Sequence, residues 1–157
     1  MSGEGPGESQ GPSLEGRILV VDDNVPLLAS LSDVLTYEGY KVGTASSGEE
    51  ALRYIKQSKP NYPDLVILDI SMPGMGGIGF LQKMNQIRAE DDDYSRIKVM
   101  VLTARANMRE FFMESDLGVY DFLAKPCDPN DLLASVKKVL AAPYQERAQA
   151  APAQYTS

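Results

Sequence analysis

Short aliphatic runs alternate with segments whose apolar residues recur at helical spacing along most of this chain. The first run, Ile18-Leu19-Val20-Val21, gives way to Leu27, Leu28, Leu31, Val34 and Leu35, a helical face that stops at Gly39. Runs that are apolar at every position suit strands buried on both faces, whereas the helical period marks amphipathic helices that cover them. A second strand is expected over residues 40–45. Ser47-Gly48-Glu49-Glu50 then has the Ser-x-x-Glu form of a capping box, opening a helix with Ala51, Leu52 and Ile55. The third strand, residues 65–68, leads through a Gly/Pro loop to a helix over Phe80, Leu81, Met84 and Ile87. The fourth, residues 99–102, precedes a helix expected to bury Phe111 and Phe112. The fifth, residues 119–123, is followed by Asp128-Pro129-Asn130-Asp131, a cap with proline at the first helical position, and then by Leu132, Leu133, Val136, Val139 and Leu140 on one helical face.

Five strands alternating with five helices predict an α/β domain: a doubly wound five-stranded parallel sheet with right-handed crossovers. The folded unit is expected over residues 16–141. Residues 1–15 are too poor in apolar side chains to offset their ordering entropy and read as a disordered leader, and the Ala/Pro/Gln-rich residues 142–157 read as a disordered tail or linker.

Composition narrows the function classes. With 22 acidic and 15 basic residues the net charge is −7, which disfavours direct contact with nucleic acid. One cysteine and no histidine leave neither an internal disulfide, nor the usual zinc set, nor a Ser-His-Asp triad. No apolar stretch is long enough to span a membrane, and the start does not resemble a signal peptide, so a cytoplasmic location is the expectation.

The candidate chemistry collects at the carboxyl ends of the strands, where doubly wound sheets bind ligands. Strand one ends in Asp22-Asp23, strand three in Asp69, strand four in Thr103, and strand five runs into Lys125-Pro126. In a parallel sheet these share one rim. Three carboxylates there repel one another, and a hard divalent cation with oxygen ligands relieves the repulsion; Mg2+ suits, since it accepts one or two carboxylates beside a phosphoryl oxygen. Lys125 can neutralise a phosphoryl oxygen, the Thr103 hydroxyl can hydrogen-bond another, and a carboxylate so placed can attack phosphorus.

In order, "ILVVDDN", "DLVILDISMPGMGG", "VMVLTA" and "DFLAKP" resemble the receiver domain of two-component response regulators, chemotaxis-regulator-like, over roughly residues 17–140. The resemblance implies a flavodoxin-like receiver fold and a set of roles. Asp69 would be the phosphoacceptor. Asp22 and Asp23, with Asp69 and the backbone carbonyl of Ser71, would hold Mg2+. Thr103 and Lys125 would sense the phosphoryl group, Phe122 would be the switch aromatic, and the Lys125-Pro126 bond would be cis. It further implies a donor, either a sensor histidine kinase or a histidine phosphotransfer protein. An effector protein would read the face of the fourth helix, fifth strand and fifth helix, and a phosphorylation-linked homodimer is a further expectation. Such a domain is a signalling module rather than an enzyme, catalysing only its own phosphorylation and dephosphorylation. The chain departs from the family pattern in having Phe122 where Tyr is frequent, Gly76 where an acid is common, and Cys127 where an aromatic is common.

Other readings compete at each position. Asp22 or Asp23 could cap the first helix, Asp69 could be a turn residue, and Asp91-Asp92-Asp93 reads as a solvated loop rather than a metal cluster. Cys127 reads as a small, partly buried residue rather than a reactive thiol. A phosphatase with an aspartate nucleophile would need a second Asp two residues after Asp69, where Ser71 stands. A phosphorylation-independent interaction module is the remaining alternative, disfavoured because the acidic pair, Asp69 and Lys125 are all present.

Overall fold

The computed structural model of the chain describes residues 16–72 and 74–144. The expectations for residues 1–15, and for the tail from residue 145 on, lie outside the described residues. Five parallel strands form one sheet: β1 (Arg17–Val21), β2 (Lys41–Ala45), β3 (Leu65–Leu68), β4 (Lys98–Thr103) and β5 (Val119–Ala124), in the spatial order β2-β1-β3-β4-β5. The order reverses between β1 and β3, so the helices that follow these two strands leave on opposite faces and open a crevice at their carboxyl ends. Five α-helices connect and follow the strands: α1 (Val25–Glu38), α2 (Gly48–Gln57), α3 (Gly76–Glu90), α4 (Arg109–Glu114) and α5 (Pro129–Ala141). Two short 3-10 turns, Asp92–Tyr94 and Ala106–Met108, complete the described residues.

Strand alternation divides the core into two layers. Leu19, Val21, Val66, Leu68, Val99 and Val101 face Leu52 and Ile55 of α2, Phe80, Leu81 and Met84 of α3, and Phe112 of α4. Ile18, Val20, Leu65, Ile67, Met100 and Leu102 face Leu28, Leu31 and Leu35 of α1 and Leu132, Val136 and Val139 of α5. Both faces of the central strands are dry, which is why these segments carry no polar alternation.

Most local signals act as the sequence suggests. Gly39 ends α1 in the left-handed region, φ 112°, where a side chain would be strained. Ser47 caps α2 by accepting from Glu50 N at 3.0 Å, but the Glu50 carboxylate reaches back to Ser46 N rather than to the cap residue. Asp128 caps α5, accepting from Asn130 N at 2.7 Å, with Pro129 at the first position. One expectation is corrected: α4 buries Phe112 but leaves Phe111 50% exposed. Adjacent helical residues differ by about 100° of rotation, and the six-residue α4 turns Phe112, not Phe111, into the core layer beside Phe122.

Candidate functional site at the carboxyl ends of the strands

Hydrogen bonds that continue the sheet beyond its strands set the rim. Asp22 N donates to Ala45 O at 3.0 Å, Asp69 N to Val21 O at 3.0 Å, and Lys125 N to Thr103 O at 2.8 Å. Each strand then turns by the same device, in which a side-chain oxygen accepts from the N–H two residues on. Asn24 N donates to Asp22 Oδ1 at 2.9 Å, Ser71 N to Asp69 Oδ1 at 2.9 Å, and Arg105 N to Thr103 Oγ1 at 3.3 Å. Short oxygen-bearing side chains are what such turns require. Asp22 and Asp69 thereby converge at the carboxyl ends of β1 and β3, where Lys125 bonds both.

The helix-capping alternative for the acidic pair does not hold. Asn24 caps α1, its Oδ1 accepting from Leu27 N at 3.1 Å, which leaves Asp22 and Asp23 to the rim. Asp22, Asp23 and Asp69 each present an oxygen within 4.8 Å of the others. Asp22 and Asp69 are buried, while Asp23 stands exposed at the mouth. Like charges this close repel by about 4 kcal/mol per pair at an effective dielectric of roughly 20, so the cluster needs cations. Lys125 supplies one: its Nζ donates to Asp22 Oδ2 at 2.5 Å and to Asp69 Oδ2 at 2.9 Å. Burial alone would lower the pKa of Lys125, but the bonds to Asp22 and Asp69 more than offset it and hold the ammonium above its usual range. One lysine against three carboxylates leaves a net negative pocket. Its donors are hard oxygens, and the exposed Asp23 leaves it open to solvent on one side, a donor set that fits a divalent cation such as Mg2+.

Thr103, buried completely at the end of β4, stands next to this cluster through the Lys125 N–Thr103 O bond. Ser71 is exposed beside Asp69. Phe122 lies inward at 1% exposure, and the Lys125-Pro126 peptide is cis, as is Lys59-Pro60. Asp91, Asp92 and Asp93 are exposed around the 3-10 turn, far along the chain from the rim and outside the carboxylate cluster. Cys127 is half-buried, and burial, then Asp131 and Asp128, push its thiol pKa up, against the thiolate form that a nucleophile needs.

Some residues around the site, and one on β5 away from it, were not singled out by sequence patterning. Glu49, in the first turn of α2, accepts from Met75 N at 3.3 Å and props the loop that follows Asp69. A Cβ on Gly77 would lie 2.3 Å from Ile70 Cα, so only glycine lets α3 start this close to the same loop. Asp121, the one acid within the β5 run, is buried and accepts from Ser135 Oγ at 2.5 Å and from Lys138 Nζ at 3.1 Å. An acid inside an apolar strand was the available signal for Asp121; for Glu49 the capping box pointed to the helix and not to the loop.

Comparison with known proteins gives the family and agrees with the fold. The response regulator receiver domain profile matches residues 18–137. "Transcriptional regulatory protein PrrA" of Mycobacterium tuberculosis is 39% identical over 124 residues, covering 79% of this chain and 49% of that protein. The chain spans about half the length of the curated relatives it matches. Among solved structures, the CheY-like receiver domain protein from Methanospirillum hungatei is 30% identical with a TM-score of 0.67, covering 80% of this chain and 94% of that one. TrrA from Thermotoga maritima, solved in complex with Mg(2+)-BeF, is 38% identical with a TM-score of 0.62, covering 79% and 98%.

Proposed function

This chain belongs to the response regulator receiver domain family, and on that premise we propose that it accepts a phosphoryl group onto Asp69 from a partner's phosphohistidine and signals through a changed protein surface. The observation that carries the proposal is the joint placement of Asp22, Asp23 and Asp69 within 4.8 Å, with Lys125 Nζ bonded to two of them.

These residues include no histidine, so the phosphohistidine donor lies outside them, on a sensor histidine kinase or a histidine phosphotransfer protein. In the transfer, an Asp69 carboxylate oxygen attacks phosphorus in line and forms an acyl phosphate. The N–P bond of the donor breaks, and its electron pair returns to the imidazole nitrogen, which takes a proton. Asp22, Asp23, Asp69 and the backbone carbonyl of Ser71 would hold Mg2+, which when bound neutralises charge on the phosphoryl oxygens. Lys125 moves from carboxylate to phosphoryl oxygen as a point charge, and the Thr103 hydroxyl donates to another. Drawing Thr103 toward Asp69 alters the packing beside Phe122 and so the face of α4, β5 and α5, which an effector protein or a second copy of the domain would read. The net charge of −7 argues against nucleic acid contact by this chain itself, and a cytoplasmic site of action suits the reading. Ser71, standing where a phosphatase would place its general acid, disfavours the rival hydrolytic reading.

The test is incubation with acetyl phosphate and Mg2+ followed by intact mass spectrometry. One hydroxylamine-labile phosphoryl adduct is expected, absent in Asp69→Asn and without EDTA-resistant formation. An adduct that survives the substitution would place the chemistry elsewhere.

A further inference from the structure

β5 is the last strand of the sheet, so one of its edges has no strand partner. Lys125 N pairs with Thr103 O across β4, and backbone groups alternate sides along a strand, so those of Phe122 face the open edge. Unpaired edge groups invite another strand or need a local partner. Here both are satisfied by side chains. Phe122 N donates to Asp121 Oδ1 at 2.9 Å, and Phe122 O accepts from Arg109 Nη1 at 2.6 Å.

Arg109 is the first residue of α4, and its guanidinium carbon also lies 6.0 Å from the Phe122 ring centroid. Three residues on, and hence on the same side of the helix, Phe112 stacks on Phe122 with centroids 6.3 Å apart and planes at 25°. Phe111 meets Phe112 edge-on at 5.0 Å and 89°. The first turn of α4 thus holds Phe122 twice, at its carbonyl by a charged donor and at its ring by an aromatic neighbour. Turning the ring outward would forfeit the Phe112 stacking and bring it past Arg109.

We infer that Arg109 is a positioning residue: it clasps α4 to the open edge of β5 and keeps the Phe122 ring inward before any phosphoryl group reaches Asp69. Its regulatory meaning rests on the phosphoacceptor reading above; the clasp itself is observable in metal-free protein. On the reading above, in which the Phe122 ring follows Thr103 inward when the phosphoryl group draws it toward Asp69, a clasp that holds the ring inward at rest raises the basal population of that arrangement, and the arginine sets its level.

The experiment uses the full chain with 13C-labelled phenylalanine, as wild type, Arg109→Gln and Arg109→Lys. In metal-free protein, Arg109→Gln is expected to move the Phe122 ring signals toward solvent-exposed values and to speed amide exchange in α4 by about tenfold. Lysine, which can make one such bond but not the planar contact, should lie between the two. With Mg2+ and beryllofluoride, Arg109→Gln should bind the mimic a few-fold more weakly, yet reach the same saturated spectrum as wild type. Phe122 signals and α4 exchange rates that coincide with wild type in the metal-free glutamine variant would overturn the clasp. Altered ring signals with unchanged mimic affinity would overturn its link to the switch. Absence of any Asp69 adduct in the mass experiment would remove the phosphoacceptor reading while leaving the metal-free ring shifts as they are.

Discussion

Lys125 Nζ lies 2.9 Å from Asp69 Oδ2, so the only cation bonded in the rim is joined directly to the proposed phosphoacceptor among the described residues. The same ammonium holds Asp22, and both carboxylates are buried. Lys125→Met keeps the length of the side chain and removes its charge. It is expected to cost about 2–4 kcal/mol in divalent-free buffer, because two buried carboxylates lose their counter-charge. Part of the loss should return on adding MgCl2, by ligand linkage. Denaturant titrations with and without Mg2+ check this; equal loss in both would mean that the cluster does not bind the cation.

Asp22 and Asp23 differ in what surrounds them. Asp22 is buried and bonded to Lys125 and Asn24 N, whereas Asp23 is exposed at the mouth. Asp23→Asn should therefore weaken Mg2+ binding by about tenfold with little change in thermal midpoint, and Asp22→Asn should reduce both. Calorimetric Mg2+ titration beside a melting curve separates the two cases.

Asp121 gives the domain an acid-sensitive contact away from the rim. Burial alone would raise its pKa, but Ser135, its bond from Phe122 N and Lys138 outweigh that and hold it below its ordinary 3.8. A depressed folded pKa means that its contribution is fully present above pH 3.8 and is lost as pH falls through the folded value. Asp121→Asn should cost about 1–3 kcal/mol near neutrality. The gap between wild type and variant should close progressively in the acid limb below pH 3.8, as read by urea midpoints at stepped pH.

Lys98 is buried at the start of β4, and its Nζ donates to the carbonyls of Val139 at 2.9 Å, Leu140 at 3.2 Å and Ala142. These are last-turn acceptors of α5, where a cation complements the helix dipole. The ammonium also lies 4.6 Å from the Tyr144 ring centroid, with Arg96 5.3 Å from the same ring. Lys98→Met should free the end of α5, cost about 1–3 kcal/mol, and make chymotryptic cleavage after Tyr144 several-fold faster. Peptide mapping over a time course measures it, and an unchanged rate would show that Lys98 does not restrain this segment.

Phe122→Tyr would carry a hydroxyl into the layer lined by Phe112, where burial without a partner costs about 1–3 kcal/mol. The tyrosine variant is expected to turn outward at rest and inward only with Mg2+ and beryllofluoride, widening the difference between the two spectra. Ring chemical shifts with and without the mimic test it; a tyrosine that remains inward at rest would mean that packing outweighs the hydroxyl.

Much of this molecule was legible from its sequence, because the interactions concerned are local or periodic. Fully apolar runs such as Leu65-Val66-Ile67-Leu68 require burial on both faces, and the caps at Ser47 and Asp128 need only neighbouring residues. Once the sheet is parallel, Asp22, Asp23, Asp69, Thr103 and Lys125 must share a rim, because each ends or follows a strand at its carboxyl end. Tertiary structure alone decided which of two adjacent residues was used. Phe112 is buried and Phe111 exposed because α4 presents one side to β5, and Asn24 rather than either aspartate caps α1 because of where β1 ends. The clasp of Arg109 on Phe122, the reach of Glu49 to Met75 N and the burial of Lys98 against α5 join residues 13, 26 and 41 or more positions apart. Such contacts depend on helix placement and on which backbone groups an edge or a helix end leaves open, and no spacing rule along the chain encodes either.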